Sequence, residues 1–113
     1  MTIYNLYKQA IIRHVMAVLP GYNYLGPFNK LDSGEPRNPT DEEAKKHDLG
    51  YHYYLNKGEN PYYRWSDVDE KFLRGIKGRS DYGAYVARGV FEAKRFLTDK
   101  LGVKRIKGIY GSY

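Results

Sequence analysis

The sequence contains no cysteine. Disulfide staples, cysteine zinc ribbons, thiol nucleophiles and thiol redox chemistry are therefore excluded. A long hydrophobic run is also missing. Arg13 and His14 interrupt the nearest candidate, so neither a transmembrane helix nor a secretory signal peptide is expected. The alternation typical of strands is weak, and residues 61–65 make the best case for a short one. Acidic residues are scarce in the second part of the chain. Residues 71–113 carry 11 basic and 3 acidic side chains, a net of +8, whereas residues 1–70 carry 8 and 10, a net of −2. The basic part implies an anionic partner, either nucleic acid or an anionic membrane surface, and charge does not choose between them. What is present suits one domain of 113 residues with a modest core: 42% hydrophobic and 28% charged residues. The 13 tyrosines stand out, because each offers an apolar ring with a polar tip, suited to interfaces and wet pocket rims.

The pattern along the chain is mostly α. Apolar residues from Ile3 to Val18 recur at steps of three and four, which predicts an N-terminal helix within residues 1–19. That helix is either core-facing or an interfacial membrane helix. Residues 20–39 are too densely punctuated by Gly, Pro and Asn for regular structure, and long loops of this kind are often functional. Thr40 followed by Glu43 predicts a capping box with Thr40 as N-cap, opening a helix to about Asn56 with Gly58 beyond its end. Ser66 and Asp69 predict a second capping box and a helix to about Ile76. A last helix is predicted from about Asp81 to Leu101, with Gly102 as its stop, so the helical core spans residues 40–101. Residues 102–113 read as a mobile basic tail.

His47-Asp48 and Tyr51 form H-D-x-x-Y in the middle of the first capped helix. His47 and Tyr51 share a helix face, while Asp48 is turned about 100° away. Upstream stand Pro20-Gly21-Tyr22-Asn23-Tyr24-Leu25-Gly26-Pro27-Phe28-Asn29, then Leu31 to Pro36, then Asn38-Pro39-Thr40-Asp41. Downstream stand Asn60-Pro61-Tyr62 and Asp69-Glu70-Lys71-Phe72. This ordered array, over roughly residues 19–75, resembles the phospholipase A2 domain carried in the unique N-terminal region of parvovirus minor capsid proteins. The resemblance implies a small helical phospholipase A2-like domain with a calcium-binding loop at residues 20–39 and no disulfides.

The resemblance also implies a chemistry. His47 would take a proton from the attacking water, Asp69 would hold the other ring nitrogen, and Tyr51 would hydrogen-bond Asp69. Ca²⁺ would sit on the Asp48 carboxylate and the backbone of Tyr24, Gly26 and Phe28, with the Gly26 N–H sharing the oxyanion. The implied substrate is the sn-2 ester of a glycerophospholipid membrane, and the implied setting is a virion with its capsid proteins, acting at a host endosomal membrane. Lys104, Arg105 and Lys107 are candidates for contact with anionic lipid, and the basic tail leaves nucleic acid open as a partner. Where the family usually has glycine, this chain has Phe28. Either the loop is built differently here or Phe28 forms an apolar lip at the lipid entrance.

Taken singly, the same residues have plainer readings. Asp69 is also the N3 acid of a capping box. Tyr24 and Tyr51 fit a core, Gly26-Pro27 fits an ordinary turn, and Asp32 and Asp41 fit loop and helix-start acids. Three other functions compete. His14, His47, Asp48 and Asp99 could be the ligands of an HD-type metal phosphohydrolase. Alternatively, Tyr82, Tyr85, Phe91, Tyr110 and Tyr113 among basic residues could stack on nucleic-acid bases without any catalysis, or the domain could bind lipid without turnover.

Overall fold

The computed structural model describes residues 21–25 and 33–110. The predicted N-terminal helix, Gly26, Phe28, Asp32, His14 and Tyr113 lie outside the described residues. Among those described, three helices follow one another: α1 (Pro39–Asn56), α2 (Asp67–Ile76) and α3 (Tyr82–Lys100). The mostly α class holds, and the strand considered at 61–65 reduces to a single parallel bridge between Ser66 and Ile106.

The start of α1 differs from the sequence expectation. Its N-cap is Asn38, whose side chain accepts the Asp41 amide, and Pro39 is the first helical residue. Asparagine outranks threonine as a cap, and proline at the first position loses no needed hydrogen bond. Thr40 is thereby freed for a tertiary role: its hydroxyl donates to Asp81 Oδ1 at 2.7 Å, tying the start of α1 to the N-cap of α3. Asp41 is buried and gathers three loop amides, those of Asn23, Tyr24 and Arg37, at 2.7–2.9 Å. Farther along, the Tyr24 hydroxyl donates to the Gly34 carbonyl at 2.6 Å and accepts the Ser33 amide at 3.0 Å. These bonds pin both ends of the loop to the helix start.

The Ser66–Asp69 capping box opens α2 as expected. The segment read as a mobile tail is docked as far as residue 110. Ile106 is buried and exchanges backbone hydrogen bonds with Trp65 and Asp67. The Asp67 carboxylate then accepts the consecutive amides of Gly108, Ile109 and Tyr110 at 3.3, 2.9 and 2.6 Å. A buried acid in the first turn of α2 thus holds the end of the chain, and the three amides it gathers there lie 41 to 43 residues away, beyond any local signal.

Helices α1 and α2 meet at Gly50, three residues after His47. A Cβ at this position would lie 2.6 Å from both methyl carbons of Val68, the residue before Asp69. Helix propensity alone favours alanine over glycine by about 1 kcal/mol. Overpacking against a stiff valine costs about 1–3 kcal/mol. We expect Gly50→Ala to lower the urea midpoint, because α2 must move off α1; a midpoint above wild type would show that Val68 yields freely.

Candidate active site

Three elements converge on one carboxylate. Helix α1 supplies His47 and, one turn later, Tyr51. The first turn of α2 supplies Asp69, and the inner face of α3 supplies Lys94. Asp69 is fully buried, and both its oxygens are engaged. Oδ1 lies 2.7 Å from His47 Nε2 and accepts the Tyr51 hydroxyl at 2.6 Å. Oδ2 accepts the Ser66 amide at 3.1 Å and the Lys94 ammonium at 2.6 Å. Asp69 is therefore both the capping acid and the partner of the histidine, and the two readings of it coexist.

The electrostatics give the dyad a direction. Burial by itself would raise the Asp69 pKa, but the Lys94 charge and the bond from His47 outweigh it, and the carboxyl is held below its usual range. Burial holds His47 below the usual histidine range, against the upward pull of Asp69. An ionised Asp69 can only accept, so His47 Nε2 carries the hydrogen and Nδ1 keeps its lone pair. The ring is 8% exposed and is boxed by Tyr51, Phe72 and Phe91, with centroids 4.1, 5.0 and 5.0 Å away. A neutral imidazole with one nitrogen fixed and the other basic is the equipment of a general base.

Asp48 is also largely buried, on the adjacent face of α1. Tyr24 is buried, with its amide and hydroxyl committed to the loop clamps described above. Gly26 and Phe28 are outside the described residues. Of the oxygen donors that the resemblance implies for Ca²⁺, only Asp48 and Tyr24 lie among the described residues; carboxylate and carbonyl oxygens are the kind a hard cation takes. Among the described residues no group of three His, Cys, Asp or Glu side chains gathers as a metal cage. Asp99, a ligand in the phosphohydrolase alternative, is instead bound through both oxygens by Arg105, at 3.0 and 2.5 Å. Arg105 is thereby committed to an ion pair, while Lys104 and Lys107 are exposed.

Sequence reasoning missed Lys94, which it counted only as surface charge. Its ammonium is 2% exposed and directs one bond each to Asp69 Oδ2, the Tyr51 hydroxyl and the Pro61 carbonyl, at 2.6, 2.6 and 2.5 Å. Burial lowers its pKa, and the Asp69 carboxylate opposes that shift. A signal did exist. Ala84, Ala87, Phe91, Lys94 and Thr98 follow one another at steps of three and four, so the lysine sits on the line of the helix that faces inward.

The phospholipase A2-like domain family matches residues 15–94, a span that extends past α2 to Lys94. The capsid protein VP1 of porcine parvovirus (strain NADL-2) is 49% identical over 83 residues, 74% of this chain and 11% of that protein. The capsid protein VP1 of murine minute virus (prototype strain) is 44% identical over 94 residues, 83% of this chain and 13% of the relative. The minor capsid protein VP1 of bovine parvovirus 1 is 44% identical over 95 residues, 79% of this chain and 14% of the relative. The chain thus spans between 11% and 14% of the length of these three relatives. No solved structure gives a significant match. With a family match over most of its length and parvovirus capsid proteins among its relatives, the chain belongs to the phospholipase A2-like domain family.

Proposed function

We propose that this domain is a calcium-dependent phospholipase A2 that hydrolyses the sn-2 ester of glycerophospholipids. The observation that carries the proposal is the 2.7 Å contact between His47 Nε2 and a buried, ionised Asp69. In this reading, His47 Nδ1 takes a proton from water as the oxygen attacks the ester carbonyl. Asp69 stabilises the imidazolium that forms, and Tyr51 steadies Asp69. The imidazolium then returns its proton to the departing glycerol oxygen, releasing a fatty acid and a lysophospholipid. Asp48, with the backbone of Tyr24, Gly26 and Phe28, would hold Ca²⁺, and Gly26 would offer its N–H to the oxyanion. The bound ion supplies positive charge for the ester oxygen and the lipid phosphate.

The biological task that fits is opening a host endosomal membrane during virus entry, with the domain carried on a capsid. Exposed Lys104 and Lys107 favour anionic lipid at the interface, where each cation near the surface contributes about 1 kcal/mol. Fatty-acid release from phosphatidylglycerol–phosphatidylcholine vesicles tests the activity directly. We expect release in millimolar calcium and loss of nearly all of it in excess chelator. Folded protein that releases nothing in calcium would refute the enzyme, and chelator-insensitive release would refute the calcium site.

A further inference from the structure

The proposed mechanism uses His47, Asp69 and Tyr51 and leaves the most deeply buried cation of the described chain without a task. We propose that Lys94 is a positioning residue of this site: by holding Asp69 Oδ2, the Tyr51 oxygen and the Pro61 carbonyl at once, it sets the arrangement in which Asp69 Oδ1 meets His47. The inference rests on the phospholipase reading above and assigns a residue outside that reading.

The argument begins with donors and acceptors. An ammonium has three hydrogens and no lone pair, so it can only donate. At 2.6 Å from Lys94 Nζ, the Tyr51 oxygen must accept from it. The single Tyr51 hydrogen is then directed to Asp69 Oδ1, the oxygen that also takes the His47 hydrogen. The same ammonium occupies Oδ2. The carboxylate cannot turn without breaking a charged bond, and the tyrosine hydroxyl has one orientation instead of several. The third hydrogen binds the Pro61 carbonyl, which anchors the loop whose Tyr62 ring stacks edge-on against Tyr51 at 4.8 Å. Lys94 therefore joins α1, the 59–62 loop, α2 and α3 at one atom.

Stability alone does not account for such a group. A buried ion pair is often no more stabilising than apolar residues of the same volume, and Lys94 has Ala87, Phe91 and Thr98 as neighbours on its helix face. A positive charge beside Asp69 has a second consequence. When His47 becomes an imidazolium, Asp69 remains a carboxylate, because Lys94 makes protonation of that oxygen pair less favourable. The proton then stays on His47 for return to the leaving oxygen.

The absence of cysteine permits a clean test. Lys94→Cys introduces the sole thiol, which can be alkylated in denaturant and refolded in two forms. Treatment with 2-bromoethylamine restores an ammonium on a chain of nearly lysine length. Treatment with 1-bromopropane gives an uncharged chain of the same length. Turnover is measured on phospholipid vesicles at saturating calcium and normalised to the folded fraction from near-ultraviolet circular dichroism. We expect the unmodified variant and the propylated form to lose about 10–100-fold in kcat with KM little changed. The aminoethylated form should return to within about threefold of wild type.

Lys94→Arg covers the case in which the uncharged forms do not fold. It retains the charge, but its planar fork cannot direct hydrogens to these three acceptors together. We expect a loss of at least about tenfold in kcat at unchanged KM. Wild-type kcat in the folded propylated form, or in Lys94→Arg, would overturn the proposal and leave Lys94 a packing residue. A folded aminoethylated form that fails to recover would overturn it equally. His47→Ala is run alongside. Folded wild type that releases no fatty acid in calcium means that the phospholipase reading itself has failed, and a fully active His47→Ala means that the base assignment has failed, whatever Lys94 does.

Discussion

Alanine at position 47 is expected to reduce phospholipid hydrolysis by at least about 100-fold, the lower range for loss of a general base, while the helical circular dichroism spectrum stays near wild type. The two halves of this expectation come from different bonds. In the proposed mechanism catalysis depends on Nδ1. The fold depends more on Asp69, which keeps the Tyr51 hydroxyl, the Ser66 amide and the Lys94 ammonium after the imidazole is gone. Alanine is also the strongest helix former, which offsets part of the packing lost against Phe72 and Phe91. Vesicle hydrolysis and far-ultraviolet spectra on the same sample decide the matter. Retention of most of the activity would remove His47 as the base.

The second large effect is expected at Asp69→Asn, and it should appear in both rate and stability. Asparagine offers one acceptor and one donor where the native site has donors on both sides. If its oxygen faces His47, its NH₂ group points at the Ser66 amide and the Lys94 ammonium. If it is flipped, the NH₂ group faces His47 Nε2 and forces the hydrogen onto Nδ1, where the base is needed. An orienting aspartate replaced in this way costs on the order of 10⁴-fold when the wrong tautomer results. The buried Lys94 also loses its counter-charge, and breaking a buried pair from one side costs about 3–5 kcal/mol. Against a typical domain stability of about 5–15 kcal/mol, that is a large fraction. A wild-type melting temperature together with wild-type turnover at saturating calcium would sink both arguments.

Local chemistry made much of this legible in the sequence. The Ser66–Asp69 capping box and the final helix depend on neighbours within four residues, and they appear where the pattern put them. The misreadings arose where two local signals competed or where the partner was distant. Asn38-Pro39 read as loop punctuation, although the same pair makes a better cap than Thr40. Asp41 read as an ordinary helix-start acid, and nothing nearby indicated that it would gather amides from residues 23 and 24. The docking of residues 108–110 on the Asp67 carboxylate needed contacts across 41 to 43 positions. Lys94 was visible only as an exception, a charge on the inward line of α3. Its acceptors lie on α1, α2 and the loop between them, and no local spacing relates these to one another.

The capping acid of α2 is also the acid that holds His47, so in the proposed mechanism secondary structure and catalytic competence are coupled. If the first turn of α2 opens, the Ser66 amide leaves Asp69 Oδ2, and the carboxylate that orients the imidazole moves with it. Helix ends are where native proteins open most readily, at free energies well below that of global unfolding. In most helices such fraying has no functional meaning. In this one, under the proposed mechanism, an excursion would release the histidine from its alignment, so the closed fraction of a single helical turn would bound the fraction of molecules able to work at any instant.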